Sequence, residues 1–315
     1  MEKISFVIPC YRSERTISSV VEEIEVIMKQ VSKYSYEIVL VNDCSPDDVW
    51  CVIDKLSKKK KYIKGINLTK NFGQHSALMA GYNFCEGDYV VTLDDDGQTP
   101  VDQVPFLIDK LLEGYDVVYA KYEERKDKIS RKFGTYLNNL MLEIFVGKPK
   151  NLHLTSFFIA KSFIIKEICN YSNPFPYIWG LILRTTKNIA NTTIKHNERI
   201  EGESGYTLGK LISLWLNGFT AFSVKPLRIS FVIGALFTVC GFFGVIYVIV
   251  SKIVHPEIVA GYSSLMAVIL IIGGILMASI GLIGEYVGRI YLCINMTPQF
   301  VIKETVNIKD KNSEK

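Results

Sequence analysis

Two stretches of the chain carry no charged residue, Ile229 to Val250 and Leu265 to Ile283. A helix of either length reaches across the roughly 30 Å hydrocarbon core of a bilayer. The connector between them, Ser251 to Ser264, is short. The pair is therefore expected to form a hairpin of two spans, 229–250 and 265–283, within residues 227–292; the alternative is a helix pair buried in a soluble core. Lys225, Arg228, Arg289 and Lys303 lie outside the hairpin, whereas the connector offers only Lys252 as a basic residue. The positive-inside rule then puts both ends in the cytoplasm. The expectation is a multi-pass protein of the cell membrane whose soluble part faces inward.

Residues 1–204 make up that soluble part. Ile4 to Ile8 is strand-like, and Ile17, Val20, Val21, Ile24, Ile27, Met28 and Val31 then recur at helical spacing. Glu37 to Val41, Ile63 to Leu68, Tyr89 to Leu93 and Val117 to Ala120 continue the apolar runs, with helical stretches at His75 to Phe84 and Val101 to Leu112. Apolar strands joined by crossover helices mean an α/β domain on a Rossmann-like, mostly parallel sheet covered on both faces. After about Glu123 the alternation weakens into helix-like segments, then a polar stretch from Arg199 to Tyr206. Within 205–226, Leu208, Leu211, Ile212, Trp215, Leu216 and Phe219 form one stripe opposite Lys210, Ser213 and Asn217. Such a helix lies in a membrane interface or packs against an ordinary core. Residues 293–315 are expected to be a cytoplasmic tail, disordered after Val306.

Composition removes several function classes. The formal net charge of +4 is mild, and Lys58 to Lys61 form the one dense basic run, a solvated helix end, so no nucleic-acid partner is expected. Seven scattered cysteines without a C-x-x-C pair indicate neither a disulfide framework nor a zinc site, and point to reducing cytosol. The N-terminus opens directly on a strand-like run, and no signal peptide is expected.

In parallel sheets ligands sit beyond the carboxyl ends of the strands. Tyr11, Asp43, Lys70 to His75 and Asp94 to Gln98 each follow directly on an expected strand, so folding should gather them at one edge. Neither G-x-G-x-x-G after the first strand nor G-x-x-x-x-G-K-[ST] occurs. Phosphates bound here lack a glycine cradle. The triplet Asp94-Asp95-Asp96 admits two readings: a solvated loop with a helix cap, or carboxylates holding a divalent cation that in turn holds a phosphate.

The segments "PCYRSE", "VNDCSPD", "TKNFGQHSALMAGY" and "LDDDGQTP", followed by a hairpin ending in "GLIGEYVGRIY", resemble the polyisoprenyl-phosphate glycosyltransferases. These are inverting family 2 enzymes of GT-A fold, including dolichol-phosphate mannose synthase and undecaprenyl-phosphate sugar transferases. The resemblance implies that Asp94 and Asp96 bind Mg²⁺ or Mn²⁺ with the diphosphate of a nucleotide sugar, a UDP-sugar foremost. It places Pro9, Tyr11, Asp43, Asp94, Asp95 and Gln98 around the donor, with Asp43 at the base. It puts Lys121, Arg125 and Arg131 at the phosphate of the polyprenyl acceptor, and makes Asp96, Arg131 and Arg199 catalytic. His75 touches the donor or is a helix-start histidine satisfied by its neighbours.

Departures matter too. Where family members carry an acidic residue this chain reads Leu154-Thr155-Ser156-Phe157, and Gly205 replaces a family lysine in "RIEGESGY". An alcohol acceptor would need a base. A lipid phosphate, with a second pKa of about 6, is already largely dianionic at neutral pH. Glu201 and Glu203 orient the sugar or decorate a loop. Gly284 and Gly288 form a G-x-x-x-G, a weak signal that marks either close helix packing or a subunit contact, the second of which would make the chain a homo-oligomer, while Glu285 and Arg289 are spaced to pair. A processive polysaccharide synthase is disfavoured by the missing Q-x-x-R-W motif; a non-catalytic nucleotide-sugar-binding module is the other alternative.

Overall fold

β1 (Lys3–Cys10) is buried from Ile4 onward, so it lies inside a sheet covered on both faces. Each fully buried Ile, Val or Phe in such a strand contributes on the order of 1.5–3 kcal/mol. The computed structural model describes residues 1–122, 143, 147–194 and 262–308, with scattered positions between 227 and 254. Two compact units result: Met1–Lys210 with Met296–Lys315, and Leu211–Asn295.

In the first unit, β1, α1 (Ile17–Gln30), β2 (Ser35–Asn42), α2 (Val49–Lys59), β3 (Ile63–Leu68), α3 (Gln74–Tyr82), β4 (Tyr89–Thr92), α4 (Val104–Leu112) and β5 (Val117–Tyr122) alternate as expected. Three further strands follow: β6 (Phe158–Lys161), β7 (Ile189–Ile194) and β8 (Ile302–Val306). Helices α5 (Ser162–Cys169) and α6 (Ile178–Thr185) lie between β6 and β7. The eight strands run in the order β7-β5-β6-β4-β1-β2-β3-β8. Only β6 and β8 are antiparallel to their neighbours.

The strand order reverses between β1 and β4, which makes their carboxyl ends the crevice of the sheet. Pro9 helps to open it. Val7 accepts the amide of Leu93 through its carbonyl, so by alternation Pro9 faces β4 as well, and proline has no N–H to offer. Pairing with β4 accordingly stops at Val7 and Thr92, while pairing with β2 continues to Cys10 and Asn42. On one face of the sheet α3 packs closely: a Cβ on Gly81 would stand 2.5 Å from Val7 Cγ1 and 3.1 Å from Val41 Cγ2.

The opposite edge is closed by charge. Buried Glu37 accepts hydrogen bonds from Ser5 Oγ (2.6 Å) and the Glu86 amide (2.7 Å). Lys3 and Lys64 reach it at 2.7 and 2.9 Å, and both also reach Glu86. These hydrogen bonds hold the Glu37 and Glu86 carboxylates below their ordinary range, Glu86 at about 2.

Residues 302–306, expected to belong to a tail, instead form β8 on the β3 edge. Asn42 donates to Asn67, and Asn67 donates to Glu304 at 2.7 Å, so a polar chain links β2, β3 and β8. Asn307, at φ 58°, donates to the carbonyls of Ser57 and Ile63. Gln299 donates to the carbonyls of Tyr171 and Asn173.

In the second unit, α7 (Tyr262–Ile294) is 33 residues long, running past Ile283, where the uncharged run stops. Its segment Ile271–Ile294 is long and apolar enough to cross a membrane. Arg289 pairs with Glu285 at 2.9 Å, as their spacing predicts. Ser230 and Ser279 hydroxyls meet at 2.8 Å, so the two uncharged runs touch there. The stretch 205–226 lies outside the described residues.

Candidate active site

The acidic triplet begins just past the end of β4, beside the reversal in strand order. Its three members face different tasks. Asp95 turns into the protein, accepting the Tyr11 amide on Oδ2 at 2.8 Å, while its carbonyl accepts the Thr16 hydroxyl at 2.6 Å. Burial, with the Asp94 charge adding to it, lifts the Asp95 carboxyl to about 6. Gly97 then turns the chain at φ 72°, and Asp96, exposed to solvent, accepts the Gln98 amide at 2.9 Å. Neither an N-cap nor a plain solvated loop describes this turn, since α4 starts only at Val104.

Asp94 is gripped on both oxygens. Gln74 Nε2 donates to Oδ1 at 2.9 Å, and the Ser156 hydroxyl donates to Oδ2. Burial raises the Asp94 carboxyl, and the charge of Asp96 pushes it further in the same direction. The charge acting on each of Asp94 and Asp95 is thus that of another carboxylate, which a hard dication would offset. Among the described residues no group of three or more acidic, histidine or cysteine side chains could hold a metal unaided. Two carboxylates, one exposed, fit instead a cation whose remaining ligands are phosphate and water oxygens.

The neighbouring loops are stitched to each other. Arg12 and Cys44 adopt φ of 60° and 49°, an uncommon conformation for such residues. The Arg12 amide donates to Ser45 Oγ at 2.7 Å, and the Glu14 amide to Asp47 at 3.0 Å. Tyr11 is 44% exposed at the mouth, with the Arg12 guanidinium over its ring. Buried Asp43 accepts the amides of Phe72 (2.7 Å) and Gly73 (2.8 Å), one on each oxygen. Its carboxylate therefore holds the loop that precedes α3, where Gly73 sits at φ 90°; burial raises its pKa.

Pro9, Tyr11, Asp43, Asp94, Asp95, Asp96 and Gln98 are thereby brought to the carboxyl ends of neighbouring strands. Lys121, half-buried, lies near the end of β5. Arg125, Arg131 and Arg199, with Glu201, Glu203 and Gly205, lie outside the described residues. His75 is not satisfied by its neighbours: its buried Nδ1 has no hydrogen-bond partner. Its ring meets Tyr177 at 5.3 Å and Trp179 at 5.6 Å, and burial lowers its pKa to about 4. Thr155 is spent internally, donating to the carbonyls of Ala120 and Phe157. Sequence reasoning did not single out Gln74, Tyr177 or Trp179. Whether Thr155 or Ser156 stands in for the missing acid is open in the sequence; of the two hydroxyls it is Ser156 that reaches Asp94.

Residues 5–169 match the glycosyl transferase family 2, and residues 225–290 match the GtrB C-terminal hairpin. The chain is 32% identical to the undecaprenyl-phosphate 4-deoxy-4-formamido-L-arabinose transferase of Proteus mirabilis, covering 99% of this chain and 96% of that one. It is also 32% identical to the protein of the same name from Yersinia enterocolitica, covering 97% and 94%. Among solved structures, mannosyl-3-phosphoglycerate synthase from Rubrobacter xylanophilus superposes with a TM-score of 0.54 at 18% identity, covering 72% of this chain and 74% of that one. Glucosyl-3-phosphoglycerate synthase from Mycobacterium tuberculosis, in complex with Mn²⁺ and UDP-glucose, gives 0.52 at 18% identity, covering 70% and 77%. The likeness to these two structures is one of fold.

Proposed function

Because the chain belongs to the family 2 glycosyltransferases and carries their GtrB-type C-terminal hairpin, we propose that it transfers a sugar from a nucleotide donor, a UDP-sugar, to undecaprenyl phosphate at the cytoplasmic face of the membrane. The observation that carries this reading is the D-x-D pair at the reversal of strand order, in a chain similar over nearly its whole length to named undecaprenyl-phosphate transferases. Residues 1–204 form the catalytic domain, 205–226 an interfacial helix and 227–292 the membrane hairpin that keeps the reaction at headgroup level.

Asp94 and Asp96 would hold Mg²⁺ or Mn²⁺, which offsets the charge developing on the departing nucleoside diphosphate. Gln74 and Ser156 fix the direction of Asp94, and Asp95 ties the triplet to the β1 loop through the Tyr11 amide. Asp43 sets the loop at 70–73 beside the nucleotide. Lys121, Arg125, Arg131 and Arg199 supply positive charge for the lipid phosphate and the diphosphate. A phosphate oxygen attacks the anomeric carbon from the face opposite the diphosphate. The new C–O bond forms as the bond to the diphosphate oxygen breaks, so configuration inverts. The attacker is already anionic, and the absence of a carboxylate at 154–157 leaves the step intact; positioning and electrostatics supply the acceleration.

The test is incubation of the purified protein with undecaprenyl phosphate, Mn²⁺ and a panel of radiolabelled UDP-, GDP- and dTDP-sugars. One sugar should enter the lipid extract, and Asp96→Asn should abolish its entry. No lipid product with any sugar from the intact protein would reject the reading and leave a nucleotide-sugar-binding module.

A further inference from the structure

His75, Tyr177 and Trp179 come from two distant segments and meet edge to face as three rings, with centroid separations of 5.3, 5.6 and 5.6 Å. Both arms of this cluster end on the same carboxylate. Gln74, the residue before His75, donates to Asp94 Oδ1. The Trp179 indole donates to the carbonyl of Thr155 at 3.2 Å, and Ser156, the next residue, donates to Asp94 Oδ2. The three rings are thus tied to Asp94 through one neighbouring residue on each arm, Gln74 on the side of α3 and Ser156 on the side of the start of α6.

In a packed aromatic cluster every polar atom should be satisfied. Here the Trp179 indole is satisfied, but His75 Nδ1 is buried with no partner. A phenylalanine would fill the same place without that cost. Aromatic rings packed around one unpaired nitrogen match a pyranose or pentose, which offers C–H bonds to rings and hydroxyl or amide groups to a hydrogen-bonding atom. Phosphate is a poor occupant, because an uncharged imidazole between two rings gives it no cation.

We infer that His75, Tyr177 and Trp179 form the subsite for the transferred sugar, with His75 hydrogen-bonding a polar substituent of that sugar and so contributing to donor selectivity. This rests on the proposed transfer reaction and deepens it. Occupancy requires a small shift of the rings to uncover Nδ1, with the sugar group then taking the place of the missing partner. A site built to hydrogen-bond a substituent discriminates against sugars lacking it, since those leave the nitrogen buried and unpaired.

The experiment compares ligands that differ only in the sugar. Full-length protein in detergent with Mn²⁺ is titrated with UDP, UDP-glucose, UDP-N-acetylglucosamine and UDP-4-deoxy-4-formamido-L-arabinose, in parallel with His75→Phe and Tyr177→Leu. UDP binding reports that each variant is folded and its diphosphate site intact. The expected result is unchanged UDP affinity in His75→Phe, with the added affinity of the preferred UDP-sugar over UDP reduced about tenfold and the preference among the three sugars flattened. Tyr177→Leu should reduce the same increment. Retention of the full sugar increment in both variants overturns the inference, and so does an equal weakening of UDP and UDP-sugar. Failure of the unsubstituted protein to bind UDP, or to label lipid from any donor, is the distinct failure of the underlying reaction.

Discussion

The Ser156 hydroxyl donates to Oδ2 of Asp94 across 62 positions of sequence. It stands in the segment Leu154 to Phe157, which carries no acid of its own, and it acts there by orienting a carboxylate. Ser156→Ala removes one of two anchors on Asp94. A hydrogen bond to a charged group contributes about 1.5–3 kcal/mol, so kcat/KM should fall roughly ten- to hundredfold, with the half-saturating Mn²⁺ concentration rising. Ser156→Thr should retain most activity. A metal titration that does not move in Ser156→Ala would remove this role.

Asp43 predicts a different loss. Its two oxygens satisfy the amides of Phe72 and Gly73, and Asp43→Ala orphans both. Stability should drop by about 1–3 kcal/mol, the cost of leaving a buried donor unpaired. UDP affinity should fall with it as the loop loosens. Thermal melting with and without UDP checks both; a variant that melts normally and binds normally would show the loop to be held by other means.

Gly81 tests the packing of α3. Its missing Cβ leaves room for Val7 and Val41, and Gly81→Ala should destabilise by about 1–3 kcal/mol through overpacking. The urea midpoint should shift without a change of slope. Adding Val7→Ala should recover part of the loss, which a general helix-propensity effect would not allow.

Acid should loosen the sheet at the edge away from the site. The Glu37 and Glu86 carboxylates are held below their ordinary pKa by Lys3 and Lys64 among their hydrogen-bond partners. A depressed carboxylate stabilises the fold above its unfolded pKa and loses that contribution as pH falls through the folded value. For Glu86 that window runs from 4.5 down to about 2. Melting temperature followed by circular dichroism should decline across it, and Glu37→Gln should flatten the decline. An unchanged profile in that variant would assign the acid sensitivity elsewhere.

Much of this was legible in the order of residues. β1 to β5 read as apolar runs because they lie inside the sheet, and parallel topology alone then collects Tyr11, Asp43 and Asp94 at one edge. β6 was not visible, because four residues, Phe158 to Lys161, carry too little periodicity. β7 reads Ile-Ala-Asn-Thr-Thr-Ile, a polar pattern suited to the end of a sheet. In β8, Lys303 and Glu304 break the apolar run because that strand also lies at an edge. The grip of Gln74 and Ser156 on Asp94 had no local pattern to give it away. It depends on β6 returning antiparallel beside β4, a relationship between segments far apart in the chain.

The position of β8 also orders events during synthesis. Until residues 302–306 leave the ribosome, β3 has an open edge with unpaired amides and carbonyls, an invitation to foreign strands. Both uncharged stretches have emerged by then. The glycosyltransferase sheet is thus sealed at β3 only after the chain's most apolar segments are already out, so a ribosome that stalls before residue 302 leaves a protein with a sticky flank.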